Sequence, residues 1–121
     1  MSFDWDKFRD LAEELGQRDD EAAQRTAISR MYYAIYWKAR LILEGDGFVF
    51  RHSDSSHKQV WDEYKKRGRT HRGAGFSGER LRNNRTQADY GSEIKNIEPL
   101  IKESFELAEK ILYYLKQIQG E

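Results

Sequence analysis

The sequence predicts an all-α fold, an up-and-down four-helix bundle with one short extra helical segment. Apolar residues recur at three- and four-residue steps in four separate stretches, the period of an amphipathic helix. Phe48-Val49-Phe50 is too short to build a sheet and reads as a packed loop. One proline and nine glycines argue against a turn-rich β-sandwich. The 121 residues fit one domain spanning 1–121.

The first helix is expected from about Phe3 to Leu15, with Trp5, Phe8, Leu11, Ala12 and Leu15 on one face and Gly16 ending it in the left-handed conformation. The second runs from about Asp20 to Glu44, capped by Asp19 or Asp20 and stopped by Gly45-Asp46-Gly47. Its stripe is Ala23, Ala27, Met31, Ala34, Ile35, Ala39 and Ile42, flanked by Tyr32, Tyr33 and Tyr36. The third runs from about His57 to Arg67, where Ser56 and Gln59 have the form of a capping box and Val60, Trp61 and Tyr64 form the buried face. Residues 68–78 are basic and glycine-rich and read as a mobile loop. A short segment from Ser77 to about Arg85 follows, holding Leu81 inside. The last helix begins near Pro99, with a stripe through Leu100, Ile101, Phe105, Ala108, Ile111, Leu112, Leu115 and Ile118.

The chain has no cysteine, which excludes disulfides, thiolate metal sites and a cysteine nucleophile. No run approaches the ~20 apolar residues of a membrane span, and the acidic first residues lack the form of a signal peptide. A soluble, cytoplasmic protein with no membrane partner is expected. The net charge of zero hides a segregation. Residues 1–22 hold eight acids and three bases, a balance of −5. Residues 64–85 hold Lys65, Lys66, Arg67, Arg69, Arg72, Arg80, Arg82 and Arg85 against Glu79, a balance of +7. Such a segment either attracts an anion or pairs with the acidic N-terminus.

Metal binding is not expected, because His52, His57 and His71 lack ligand spacing. The glycines at 73, 75 and 78 do not form a phosphate loop, since no strand precedes them and no Gly-Lys-Ser/Thr follows. Two segments carry more. One is Ser29-Arg30-Met31-Tyr32-Tyr33-Ala34-Ile35-Tyr36, and the other is Leu81-Arg82-Asn83-Asn84-Arg85-Thr86-Gln87-Ala88-Asp89-Tyr90. Arg85 and Asp89 stand four apart and can pair on a helix turn. Tyr90 has a structural reading as a core tyrosine, and His57 as a packing or capping residue.

Together these segments resemble the HEPN superfamily of small bacterial and archaeal helical proteins. The likeness is to a branch with an "SRxYYAxY" helix, then a histidine opening the next helix, then "RxxADY". Here these are Ser29–Tyr36, His57 and Arg85-Thr86-Gln87-Ala88-Asp89-Tyr90, in order across roughly residues 20–115. The resemblance implies a helical bundle, often a homodimer with a cleft at its seam. It also implies a toxin or phage-defence component, commonly a metal-independent ribonuclease, paired with a minimal nucleotidyltransferase antitoxin. No cofactor is implied.

The family's ribonuclease signature is an arginine with a histidine four to six residues beyond it. This chain departs from it: five residues after Arg85 stands Tyr90, and the positions after Arg82-Asn83 hold Gln87, Ala88 and Asp89. A phenol, with a pKa near ~10, is a poor base at neutral pH. Arg51 and His57 fit the spacing but lie at a helix entrance. If the chain cleaves RNA, Arg85 would hold phosphate and His57, His71, Asp89 or Tyr90 would replace the missing histidine. Arg82, Asn83, Ser29, Arg30, Tyr33, Lys65, Lys66, Arg69 and Arg72 would bind RNA or nucleotide. The alternative is a non-catalytic dimer that binds nucleotide, RNA or a partner protein. Modification of Tyr90 by the partner nucleotidyltransferase is a third possibility.

Overall fold

Asp20 opens the longest helix by accepting a hydrogen bond from the Ala23 amide at 2.7 Å. A computed structural model describes residues 2–120 and contains five helices: α1 (Asp6–Gly16), α2 (Glu21–Gly45), α3 (Ser56–Lys66), α4 (Arg69–Tyr90) and α5 (Ile97–Ile118). Among the described residues there is no strand, and the fold is all-α. None of these helices is long and apolar enough to cross a membrane.

α2 touches each of the other four helices. Its alanines explain why: Ala27, Ala34 and Ala39 are fully buried and let neighbouring backbones approach. Met31, Tyr32, Ile35, Tyr36 and Leu43 fill the spaces between them, joined by Trp61, Tyr64, Leu81, Ile111 and Leu115 from α3, α4 and α5. A second, smaller cluster of Ile28, Ala88 and Ile97 closes the other end of the bundle. Gly47, at φ 89°, turns the chain out of α2 in the left-handed region, and Phe48 and Phe50 then fold back against the core. Asn96 caps α5, with Pro99 inside its first turn.

The largest departure from expectation is α4. The glycine-rich stretch 68–78 is not a loop, and the short segment after it is not separate. Both belong to one 22-residue helix. The reason lies across the interface. A Cβ on Gly78 would stand 2.3 Å from the Trp61 ring, and one on Gly75 would stand 2.8 Å from the Lys65 backbone nitrogen. A Cβ on Gly73 would stand 2.7 Å from the Tyr114 ring. The glycines cost helix propensity, about 1 kcal/mol each against alanine, but they admit α3 and α5 at close range. Leu81, Ala74 and Ala88 complete the buried side.

Smaller corrections follow the same logic. Gly16 is the last helical residue of α1 and has no positive φ; its bare Cα lies against the Phe105 ring, 3.1 Å from where a Cβ would sit. Leu11 is exposed, not on the buried face of α1. α3 is capped by Ser55, not Ser56. Gln59 instead ties the preceding loop, bonding the Arg51 amide at 2.8 Å and the carbonyls of Arg51 and Asp54 at 2.9 and 3.0 Å. Gly68 is the N-cap of α4. Tyr32 and Tyr36 are core residues, not flanks of the α2 stripe.

Candidate functional site

The two singled-out segments meet where α2, α3 and α4 converge. Arg85, on the inner face of α4, is only 8% exposed. Its guanidinium carbon lies 5.3 Å from the centre of the Tyr32 ring and 5.6 Å from that of Tyr33, within cation–π range. Among the described residues its one carboxylate neighbour is Asp89, one turn on, at 3.6 Å from Nη1, too long for a hydrogen bond. Nε is sealed from solvent and has no hydrogen-bond partner among the described residues. A buried arginine normally satisfies its donors, since desolvating a charge costs several kcal/mol. Arg85 is under-answered.

His57, in the first turn of α3, reaches the same two tyrosines. Its ring stacks on Tyr36 at 4.2 Å and on Tyr32 at 5.5 Å, and meets the Tyr33 edge at 5.8 Å. Nδ1 is 2.7 Å from the Tyr32 hydroxyl. That hydroxyl also accepts from Trp61 Nε1 at 3.1 Å. Burial, aided by the charges of Arg82, Arg85 and Arg40, lowers the His57 pKa to about 4, so the ring is neutral at pH 7. Burial likewise raises the Tyr32 pKa, with the Trp61 hydrogen bond and the Arg82 and Arg85 charges acting against it.

Arg82 lies one turn before Arg85 and places Nη2 3.4 Å from Ser55 Oγ, at the start of α3. Ser29 donates to Asp89 at 3.2 Å, and Arg30 Nη2 is 3.4 Å from Ser29 Oγ. The Arg30 guanidinium sits over Phe8 at 4.8 Å and Tyr33 at 5.3 Å. Thus Ser29, Arg30, Tyr33, His57, Arg82, Arg85 and Asp89 belong to one cluster of side chains.

Other predicted residues are not brought there. Tyr90 is 76% exposed, so it is neither a core tyrosine nor packed on Arg85. His71 stacks on Tyr64 at 5.7 Å, in another part of the fold. Asn83 points to solvent, whereas Asn84 is buried. Arg69 and Arg72 open α4, about 24 and 20 Å along the helix from Arg85 at ~1.5 Å per residue. The basic segment is also not one free patch. Lys65 pairs with Glu79, Arg67 with Glu63 and Asp46, and Arg80 with Glu103. Lys66, Arg69 and Arg72 are exposed, at the far ends of α3 and α4 from the cluster.

Two functional candidates escaped the sequence reading. Arg40 donates to the Tyr36 hydroxyl at 3.0 Å, which in turn donates to Ser56 Oγ at 2.9 Å, bringing a further positive charge towards His57. Arg25 donates to the carbonyls of Ala88 and Gly91 at 3.1 and 2.6 Å, closing the end of α4 that carries Asp89. The signal was present: Arg25, Ser29, Tyr32 or Tyr33, Tyr36 and Arg40 continue one face at three- and four-residue steps.

A cavity of about 780 Å³ lies elsewhere, between the end of α2 and α5, with Ile42, Leu112 and Leu115 in its wall beside Lys38, His71 and Lys116. None of its polar side chains is a buried cation without a hydrogen bond, as Arg85 is, so the Arg85 cluster is the better candidate on chemistry. Among the described residues no three His, Asp or Glu side chains converge to hold a metal ion. Comparisons with protein-family models, curated proteins and solved structures return no match.

Proposed function

We propose that this chain is a HEPN-type helical bundle whose α2–α3–α4 cleft takes the phosphate of an RNA or nucleotide. In this reading it is a cytoplasmic toxin or defence component, working as a homodimer and paired with a minimal nucleotidyltransferase. The observation that carries the reading is Arg85: a buried guanidinium with an unanswered N–H, seated on Tyr32 and Tyr33 beside His57. Among the described residues Nη1 and Nη2 make no hydrogen bond either and, unlike Nε, are not sealed, so an anion reaching them supplies what the fold does not. A phosphate oxygen at Arg85 gains charge-assisted hydrogen bonds in a partly dry site, where they are strong. Arg82 flanks the same position and steadies the remaining charge.

Turnover would need a proton carrier near that phosphate. On α4 Tyr90 is exposed, and Asp89 is already engaged by Ser29 and Arg85. His57, from α3, would have to do the work of the missing α4 histidine. In a cleaving enzyme Arg85 would stabilise charge on the scissile phosphate while His57 moved the 2′-hydroxyl proton. The second reading, binding without cleavage, is favoured by the hydrogen bond that already occupies His57 Nδ1.

Purified protein is incubated with tRNA and a mixed RNA pool, without added metal, beside Arg85→Ala. Cleavage abolished in Arg85→Ala supports the enzyme. Salt-dependent retention of intact RNA, weakened in Arg85→Ala, supports the binding module. Neither cleavage nor retention by the wild type overturns both.

A further inference from the structure

The Tyr32 hydroxyl offers one hydrogen and two lone pairs. The residue is fully buried, and the hydroxyl has two partners, Trp61 Nε1 and His57 Nδ1. An indole nitrogen only donates, so Trp61 uses a lone pair. The hydroxyl hydrogen then has one acceptor in reach, His57 Nδ1. Were Nδ1 protonated instead, a sealed O–H would be left unanswered, which a folded interior disfavours strongly. Nδ1 must therefore accept, and a neutral imidazole that accepts at Nδ1 carries its hydrogen on Nε2. His57 Nε2 has no protein partner among the described residues and is not among the polar atoms sealed from solvent.

We propose that Tyr32 is a positioning residue that holds His57 in the neutral, Nε2-protonated form, so that the histidine offers an anion at Arg85 a hydrogen-bond donor and not a base. The anion clause rests on the phosphate-cleft reading above; the tautomer does not. Trp61 takes a lone pair of the hydroxyl and offers it no acceptor, so the hydrogen turns to His57 Nδ1 with or without the indole. A neutral donor among the charges of Arg40, Arg82 and Arg85 adds a contact to phosphate without adding to the repulsion between cations. The other groups facing His57 are Tyr33 and Tyr36 from α2, neither of which bonds to its ring nitrogens.

The test is long-range ¹H–¹⁵N correlation NMR on the intact chain with ¹⁵N-labelled histidine near pH 7, with His57 assigned by His57→Gln. The wild type is expected to show Nε2 protonated and Nδ1 bare; a protonated Nδ1 overturns the proposal. Tyr32→Phe is expected to give mixed tautomers and a higher His57 titration midpoint. A folded Tyr32→Phe with tautomer and midpoint unchanged overturns the positioning role. Trp61→Phe keeps the hydroxyl and is expected to keep Nε2 protonated, giving a second arm if Tyr32→Phe does not fold; loss of that tautomer counts against the proposal. Inorganic phosphate, titrated into the wild type, is expected to move the Nε2–H resonance. Phosphate binding that leaves it unmoved overturns the donor role. A correct tautomer with no phosphate binding overturns the phosphate cleft and leaves the tautomer assignment standing.

Discussion

α4 presents a polar face to each of two neighbours, and the two are built differently. Towards α5, Arg80 grips both oxygens of Glu103 at 3.1 and 2.9 Å, while Asn84 donates to Glu103 at 2.8 Å and to Ser104 at 3.2 Å. Each charge there has a matching partner. Towards α2 and α3, one turn further on, Arg85 is buried with a single carboxylate at 3.6 Å and a sealed N–H without a partner. A closed network fastens helices. An open one, built around a desolvated cation, is the arrangement expected where a ligand completes the set. The contrast separates the residues that hold α4 in place from those that α4 holds in place.

The closeness of α3 to α4 underlies the open face, so the largest effect is expected from Gly78→Val. Its side chain would enter the space of the Trp61 ring, which is 1% exposed and cannot swing away. A loss of about 3 kcal/mol is expected in denaturant unfolding. The displacement of α3 would carry His57 away from Arg85, and RNA retention would fall with it.

Next comes the closed face. Asn84→Leu removes the donor to Ser104, which is 0% exposed, and to Glu103. A loss of about 1–3 kcal/mol is expected, with phosphate binding unchanged in the folded protein. Loss of binding at full stability would erase the distinction between the faces.

A pH titration sharpens the open face from another side. His57 is harder to protonate in the fold, at about 4, than in the unfolded chain, at ~6.5. Between those values the unfolded chain binds more protons, so stability rises with pH. It is full above ~6.5 and is lost as pH falls towards 4. About 1–2 kcal/mol is expected, allowing for solvent screening of a half-buried ring. His71, also lowered by burial, adds in the same direction. His57→Gln is expected to flatten the slope of urea-unfolding free energy across this window; an unchanged slope would show that the ring is not held neutral by the fold.

Much of the frame was legible in the sequence, and the reasons are local. The three- and four-residue stripes of α2 and α5 and the Asp20 cap are written within single helices. α4 was not legible in its first half, because Gly73, Gly75 and Gly78 read as loop residues until Trp61, Lys65 and Tyr114 are seen to need the space. Helix propensity was overridden there by a contact between residues distant in sequence. The site divides in the same way. Arg85 with Asp89, four apart, and the Ser29–Tyr36 face were visible as patterns. The seating of His57 on Tyr32 and Tyr36 depends on the angle of α3, which no spacing encodes. The charge run at 64–85 misled in part, since Lys65, Arg67 and Arg80 are answered by acids from other turns and helices.

The central claim is that Arg85 is kept for a ligand and not for the fold, and Arg85→Met separates these most directly. Replacing a poorly paired buried cation by an apolar side chain of similar length is expected to leave stability unchanged or raise it by about 1–2 kcal/mol. The measurement is salt-dependent RNA binding at a temperature where both proteins are folded, alongside urea unfolding. The expected result is a variant at least as stable as the wild type that has lost most of its RNA affinity. A variant that unfolds more readily yet still binds RNA like the wild type would contradict the claim, and would make Arg85 a structural residue.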